Sequence, residues 1–302
     1  MDGHLRAAAA RSGALITTVV FSLVAAFSNA VNLMTQHSAS VGAPKHDKLW
    51  KLIRYLLHQP LWLLGWIAAV GAFAFQALAL HNGQLSVVQP LLVTELVFAL
   101  ILRRAWLHQD VTGGAWTSAL VVCVALAVFL TVAEPQGGHP NPDPGEWLSA
   151  LATFGGVVVL LSLLAMRGSP VRRAALFAAA AGLSWAVMAT FIKSTTDTLA
   201  AFGFFGMFTH WPLYALAAAA VVGTLLQQAA LHVGPLSVSQ PLLVVVDPFA
   251  SIILSVWLFD EHFTDSPANI VVGAVAFAVM AGGVTMLSRT APADLAPSRA
   301  DG

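Results

Sequence analysis

Nine long apolar stretches dominate the chain. Each is long enough for a transmembrane helix, which needs ~20 mostly apolar residues. Strand-type alternation of apolar and polar residues is absent from these stretches, which argues against a β-barrel. The sequence therefore predicts an all-α polytopic membrane protein. The predicted spans are 14–34, 60–80, 86–104, 114–133, 147–166, 172–193, 210–231, 236–258 and 268–288.

Composition supports this class of protein. Only 9% of the residues are charged and the formal net charge is zero, whereas about 25% of residues are charged in an average soluble domain. This excludes an ordinary soluble enzyme, a disordered chain and a basic nucleic-acid-binding protein. One cysteine, Cys123, excludes a disulfide framework and is interpreted as packing. We expect contact with the lipid bilayer, no nucleic-acid partner and no cofactor.

The basic residues predict the orientation. Of the 14 Lys and Arg residues, we assign 3 to the side of the N-terminus (Arg6, Arg11 and Lys193) and 11 to the opposite side. Because cytoplasmic loops carry the excess of basic residues, the N-terminus is expected outside and the C-terminus in the cytoplasm, in the plasma (inner) membrane. If Thr198–Phe208 formed a tenth span, the distribution of basic residues between the two sides would weaken to 9 against 5.

Three segments lie outside the predicted spans. Residues 1–12 and 289–302 are polar tails that we expect to be disordered. Residues 47–58 carry Leu49, Ile53 and Leu56 on one helical face and basic residues on the other. This pattern predicts an amphipathic helix in the cytoplasmic headgroup layer, where it acts as an anchor or, alternatively, as a lipid sensor or docking site.

An internal repeat is the most specific signal in the chain. Gln76–Val93 and Gln227–Val244 are identical at 13 of 18 positions, at a constant offset of 151 residues. We name these segments the first copy and the second copy. Each reads as helix, tight turn and helix, with Gly83 or Gly234 permitting the turn. Pro90 and Pro241 are expected in the first turn of the helix that follows.

Five predicted crossings separate the copies, so they are expected to insert in opposite directions. We divide the chain into a first inverted repeat at 13–133, a connecting span at 134–170 and a second repeat at 171–288. Inverted repeats with a central site are typical of secondary transporters, whose halves exchange conformations in alternating access. Pro90, Pro241, Pro248, Gly83 and Gly234 are the candidate hinge residues.

The Gly-x-Leu-Ser-x-x-Gln-Pro-Leu-Leu turn, the inverted halves and the acidic Phe259-Asp260-Glu261 resemble the drug/metabolite transporter superfamily, in its EamA-like form. The resemblance covers residues 14–288 and implies ten helices around a central cavity, one more than predicted here. Nine spans with an outside N-terminus are also similar to the NIPA-type magnesium transporter branch. The resemblance implies transport but no particular substrate.

Two carboxylates lie inside predicted spans, where a charge costs about 2.5–3.5 kcal/mol on insertion scales. Asp247 precedes Pro248, which is expected to kink the helix, and lies on the same face as Gln240. Glu95 lies about a third of a turn from the face of Gln89. Asp247 is the principal candidate for binding a substrate, proton or cation, and Glu95 the second. Both would be ligands if the cargo were Mg²⁺.

Neutral polar residues form the next group of candidates. Amides in membrane helices line pathways or serve as contacts between helices. The substrate-site candidates among them are Gln76, Gln89, Gln227, Gln240, Asn29 and Asn32. His81 and His232 lie at the two turns and are interpreted as headgroup contacts. Asp260, Glu261 and Asp265 are interpreted as an outside acidic loop that is solvated or attracts cations.

The sequence favours a non-enzymatic secondary transporter. It contains no Gly-x-x-x-x-Gly-Lys-Ser/Thr, His-Glu-x-x-His or Gly-x-Ser-x-Gly motif. The expected cargo is a small polar or amphipathic metabolite. A divalent-cation pathway for Mg²⁺ is the alternative, and a non-transporting membrane scaffold is the second alternative. Small-residue faces such as 273–282 would allow a homodimer.

Overall fold

The computed structural model describes residues 2–41, 58–106, 108, 110–133, 136–138, 142–263 and 266–290. Within these residues, nine helical segments are long and apolar enough to cross a membrane. This confirms the all-α polytopic class. The helices are α1 (Asp2–Val41), α2 (Pro60–Asn82), α3 (Leu85–Leu92), α4 (Glu95–Ala105), α5 (Gly113–Ala133), α6 (Pro144–Ala165), α7 (Pro170–Gly206), α8 (Trp211–Val233), α9 (Leu236–Phe259) and α10 (Pro267–Thr290).

Local sequence sets several helix starts. Pro144 and Pro170 occupy first-turn positions of α6 and α7, where the missing N–H costs least. The Glu146 side chain accepts a hydrogen bond from the backbone N–H of Asp143 (2.7 Å), which closes the start of α6. At α7, the Ser169 hydroxyl accepts from the backbone N–H of Arg172 at 3.4 Å.

The prediction for the N-terminal tail is wrong. Residues 2–12 are helical, because α1 begins at Asp2 and continues into the first span at Gly13–Thr35. Alanine is the best helix former, and Ala7–Ala10 lie within this extension. The predicted amphipathic helix at 47–58 lies outside the described residues except for His58. At the other end, α10 ends at Thr290, and residues 291–302 lie outside the described part of the chain.

Thr198–Phe208 is not a separate span. Thr198 to Gly206 continue α7 and the following residues, Met207–Thr209, form a 3₁₀ turn. A kink occurs at Gly203, whose φ of 72° and ψ of 177° lie outside the helical region. Glycine adopts positive φ without a Cβ clash, so it is the residue suited to this bend.

Strand pairing gives a second reason against a tenth span at Thr198–Phe208. Strand β1 (Gln136–Gly137) follows α5, and β2 (Glu261–His262) follows α9. The strands pair antiparallel, with Gln136 opposite His262. Four spans separate these loops, so a nine-span chain brings both to one membrane surface. A tenth span between α7 and α8 would put them on opposite surfaces, where they could not pair.

The chain divides into two compact units. The first consists of Met1–Gly83 and Pro90–Val111, and the second of Gln84–Gln89 and Thr112–Gly302. In the first unit, α1 packs against α2 and α4. Phe21 lies 6.1 Å from Phe75, and Phe27 meets Phe98 edge-on at 5.6 Å. These ring contacts hold α1 between its two neighbours.

In the second unit, α7 packs against α6, α8 and α9, and α5 packs against α10. Small residues permit these close approaches. A Cβ on Gly182 would lie 2.9 Å from the Cβ of Val246 on α9, and one on Gly283 would lie 2.9 Å from Val122 on α5. Close backbone packing of this kind stabilises helix pairs where lipid supplies no hydrophobic drive.

The two repeat turns share their conformation, but the reason for glycine differs from the prediction. Gly83 and Gly234 have φ values of −146° and −154°, so both are extended and neither needs positive φ. Space is what demands glycine. A Cβ on Gly83 would overlap the Thr18 side chain, and one on Gly234 would lie 2.6 Å from the Cβ of Ala174 and 2.7 Å from the backbone oxygen of Pro170.

Candidate functional site

Glu95 lies at the start of α4, directly after an interruption of the third span. Helix α3 ends at Leu92, and the backbone N–H groups of Val93 and Thr94 bond to carbonyls three residues earlier. The Thr94 hydroxyl donates to the Leu91 carbonyl at 2.6 Å, which supports this local turn. The half-buried Glu95 side chain forms a hydrogen bond with the predicted site residue Asn29 of α1.

Asp247 lies in the middle of α9, within the span Val238–Phe259. It is half-buried, and the Ser251 hydroxyl one turn later donates to its Oδ1 at 3.3 Å. Asp247 belongs to the second unit and Glu95 to the first. Each carboxylate therefore has a polar neighbour within its own unit, and a shared cavity for both stays a prediction.

The predicted amides occupy different environments. Gln89 is 3% exposed, and among the described residues no hydrogen-bond partner reaches its amide nitrogen. Gln227 accepts a hydrogen bond from the indole N–H of Trp185 at 3.2 Å, so it joins α8 to α7. Gln76, Gln240 and Asn32 are half-buried. Gln89 therefore offers a buried donor, whereas Gln227 serves as a contact between helices.

The prolines depart from expectation. Pro90 and Pro241 are each the sixth residue of their helix, in its second turn and not its first. Pro241 and Pro248 both lie inside α9, which remains one helix from Leu236 to Phe259. The interruption occurs instead in the first copy, just after Pro90. Thr94 supports it there, whereas the position at the 151-residue offset is Val245, which has no hydroxyl.

Glu261 is the polar residue that the sequence analysis misplaced. It was interpreted as part of an outside acidic loop, but it is 1% exposed. Its Oε1 accepts from the backbone N–H of Leu85 at 2.8 Å. Its Oε2 accepts from the backbone N–H of Ser86 at 3.1 Å and from the Ser86 hydroxyl at 2.6 Å. One carboxylate thus caps the N-terminus of α3, where the helix dipole favours negative charge.

Two further charged residues lie on α7, near Glu261. Lys193 interacts electrostatically with Glu261 and with Asp197, one turn further along its own helix. Its ammonium lies 5.4 Å from the ring centre of Phe259. Lys193 was predicted at the end of a span, facing outside, whereas α7 carries it and Asp197 within the segment Pro170–Thr209. Helix α7 therefore continues beyond the predicted span end at residue 193 and carries Asp197 on this continuation.

Aromatic rings pack next to Phe259, the ring that lies near Lys193. Trp147 stacks on Phe191 with centroids 5.1 Å apart and meets Trp211 edge-on at 5.2 Å. Trp147 also lies 6.5 Å from Phe259. At 6% exposure, Trp147 is a core residue. Phe259, and through it Lys193, is therefore connected to a packed group of aromatic rings.

A sequence signal for part of this cluster existed. Lys193 and Asp197 are four residues apart, the spacing of charged neighbours on one helical face. That spacing indicates a helix continuing beyond residue 193. The contact between Glu261 and Ser86 spans 175 residues, and nothing in the local sequence indicates it.

The fold and these buried polar groups define a multi-pass α-helical membrane protein. The chain is similar to an uncharacterized protein of Corynebacterium glutamicum, at 27% identity over 281 residues that cover 91% of this chain and 96% of the relative. The similarity therefore extends over nearly all of both chains. No family model matches the chain, and no solved structure matches it.

Among the described residues, no group of three or more His, Cys, Asp and Glu side chains is placed to hold a metal ion.

Proposed function

We propose that this protein is a secondary transporter, not an enzyme, and that it moves a small polar or amphipathic metabolite by alternating access. The observation that carries the proposal is the pair of carboxylates inside apolar spans. Glu95 bonds to Asn29, and Asp247 accepts from Ser251. Such groups are expensive within a bilayer and typically mark substrate or proton pathways.

Asp247 is the principal site for substrate or proton. It lies mid-span, where a carboxylate is costly, and the Ser251 hydroxyl donates to its Oδ1 at 3.3 Å. Glu95 has a different role in the proposal. Because it begins α4 next to an interrupted segment, a change in its protonation or ligation would act on the joint between α3 and α4.

Gln89 supplies the neutral part of the site. Its amide nitrogen is buried without a hydrogen-bond partner among the described residues, and such a donor is costly unless something accepts from it. A substrate carbonyl, hydroxyl or carboxylate oxygen would satisfy it. Gln240 occupies the corresponding position of the second copy and is proposed to do the same in the other half of the cycle.

The divalent-cation alternative uses the same two carboxylates as hard oxygen ligands for Mg²⁺, with amide oxygens and water completing the coordination. It shares Asp247 and Glu95 with the metabolite proposal, so flux specificity is what separates the two. The magnesium pathway and the non-transporting scaffold are therefore outcomes of the same experiment.

The test is flux into proteoliposomes that contain the purified full chain, with a panel of polar metabolites and Mg²⁺. We expect metabolite flux that does not depend on Mg²⁺. Asp247→Asn should reduce it about a hundredfold and Glu95→Gln about tenfold, as expected when a buried charged ligand or proton carrier is lost. Asp110→Asn is the matched control, because Asp110 is an exposed carboxylate paired with Arg104 at 3.1 Å.

Other outcomes contradict the proposal. Mg²⁺ flux abolished by Asp247→Asn would replace the metabolite with the divalent cation. Metabolite flux that survives both Asp247→Asn and Glu95→Gln would overturn the site. No flux across the panel, together with a co-purifying partner protein, would favour the scaffold.

A further inference from the structure

The cap on α3 joins two elements that lie far apart in sequence. Glu261 follows the span that ends at Phe259, and Ser86 is the second residue of the span Leu85–Ala105. By the parity of the crossings, both lie at the membrane surface where β1 and β2 pair. The single carboxylate of Glu261 accepts all three hydrogen bonds that it makes to Leu85 and Ser86. Rotation of this side chain would therefore release all three bonds together.

The two copies differ in how the acid that follows their second helix is used. The 151-residue offset carries Glu261 onto Asp110, which is also acidic. Asp110 is fully exposed and forms its ion pair with Arg104. An acid follows the second helix of each copy, but the two acids are used differently in this conformation.

A second partner for the Glu261 carboxylate is already present. Lys193 interacts electrostatically with Glu261 from α7, and its ammonium lies 5.4 Å from the ring centre of Phe259. A carboxylate that leaves the α3 N-terminus would keep this cationic partner. The released state is thus not an unpaired buried charge, which would be prohibitively unfavourable.

We propose that Glu261 is a gate residue: its carboxylate holds the start of α3 closed at the surface where β1 and β2 meet, and this surface opens when the carboxylate leaves Ser86. The proposal rests on the proposed transport function, since a gate needs a pathway to close. It assigns the described conformation to the state closed at this surface, and it makes the Glu261–Ser86 contact the element that breaks in each cycle.

The test uses cysteine accessibility and needs no substrate. Because Cys123 is the only cysteine in the sequence, Cys123→Ala gives a cysteine-free background. Val88→Cys reports on α3, since Val88 is 0% exposed. In proteoliposomes, a charged methanethiosulfonate reagent should modify this cysteine slowly in the presence of Glu261. With Glu261→Gln the rate should rise about tenfold or more, because the amide replaces an acceptor with a donor that faces other donors.

Two controls separate gating from damage. Val122→Cys in the same background lies in α5 at 0% exposure and should stay protected in both proteins. Asp260→Asn removes the neighbouring exposed acid, whose side chain is 67% accessible, and should leave Val88→Cys protected. A rise at both Val88→Cys and Val122→Cys would show that Glu261 only stabilises the fold and would overturn the gate. An unchanged rate at Val88→Cys would also overturn it.

This readout is independent of transport. Labelling at Val88→Cys that rises with Glu261→Gln, without flux of any panel compound, would support the Glu261 switch. The same result would count against the transporter. Flux that is abolished by Asp247→Asn, combined with labelling that ignores Glu261→Gln, would retain the transporter and reject the gate.

Discussion

The first and second copies have nearly the same sequence but different structures. In the first copy the span is interrupted between Leu92 and Glu95, whereas in the second α9 continues through Pro241 and Pro248. Glu261 caps the first copy's second helix, α3. Identical residues therefore set the turn, and the residues that differ, together with distant partners, set the shape of the helix beyond it.

The comparison shows why proline alone did not locate the break. Both copies carry a proline at the sixth helical position, yet only the first copy is interrupted. Thr94 and Glu95 stand where the second copy has Val245 and Val246. The Thr94 hydroxyl competes for the Leu91 carbonyl, and Glu95 is favoured by the dipole of a new helix N-terminus. Proline removes a backbone hydrogen bond from the helix, and Thr94 and Glu95 stabilise the interrupted conformation.

The largest expected effect on stability is at the two turn glycines, whose replacement by alanine should cost different amounts. Gly234→Ala should lower the free energy of unfolding by about 3 kcal/mol, because the added Cβ meets the rigid backbone oxygen of Pro170. Gly83→Ala should cost about 1 kcal/mol, because the atoms that it meets belong to the Thr18 side chain. Adding Thr18→Ala should recover part of the second loss only. Unfolding in mixed SDS micelles measures all three, and equal losses at the two glycines would contradict the difference.

The second largest difference in stability is expected between variants of the two acids that follow the copies, Glu261 and Asp110. Glu261→Gln should lower the free energy of unfolding by about 2 kcal/mol, because it breaks buried hydrogen bonds to a charged acceptor. Asp110→Asn should change it by less than about 0.5 kcal/mol, because the Arg104–Asp110 pair is exposed. The same SDS titration measures both. A loss at Asp110 as large as that at Glu261 would show that the two acids are equivalent in the resting protein.

Exchanging one residue tests the cause of the interruption. Thr94→Val gives the first copy the residue of the second and removes the 2.6 Å bond to Leu91. We expect the free energy of unfolding to change by about 1 kcal/mol. Hydrogen exchange at Val93–Val97 should slow, because a continuous helix protects these amides. Mass spectrometry of the peptide that contains them measures this, with Val245→Thr as the reciprocal variant. Exchange that is unchanged by Thr94→Val would assign the break to other contacts.

The smallest effect concerns the paired amides. Gln227 accepts from Trp185, whereas the residue that corresponds to Trp185 at the 151-residue offset is Met34, which has no N–H in its side chain. Gln227→Met should therefore lower the free energy of unfolding by about 0.6–1 kcal/mol, and Gln76→Met by less. Trp185→Phe should remove the Gln227 contribution, so a double-mutant cycle isolates the hydrogen bond. Coupling near zero between Trp185 and Gln227 would contradict this contact.

Much of the fold could be predicted from the sequence, because span length and apolar composition follow directly from the thickness of a bilayer. The nine spans and the helical class are examples. The prediction of a disordered N-terminal tail was wrong, since Ala7–Ala10 favour helix next to an apolar span. The ambiguity at Thr198–Phe208 needed the structure, because a kinked helix extension and a short span have the same composition.

For the candidate site, the residues that sequence could identify are clearly distinct from those that needed the structure. Asp247 and Glu95 could be found from sequence, since a carboxylate inside an apolar stretch stands out without any fold. Asn29 was a candidate, but its contact with Glu95 depends on the packing of α1 against α4. Glu261 was assigned to an outside loop and Lys193 to the outside end of a span, because local sequence shows where a charge occurs and not what covers it.

The sequence by itself determined that the chain crosses a membrane, that it repeats a helix–turn–helix unit, and that two acids lie inside its spans. These properties depend on composition, length and spacing, which are local. Only the tertiary structure decided that α3 is capped from 175 residues away and that one copy is broken while the other is continuous. Those outcomes depend on which distant backbone groups lack partners after packing, and long-range contacts alone supply them.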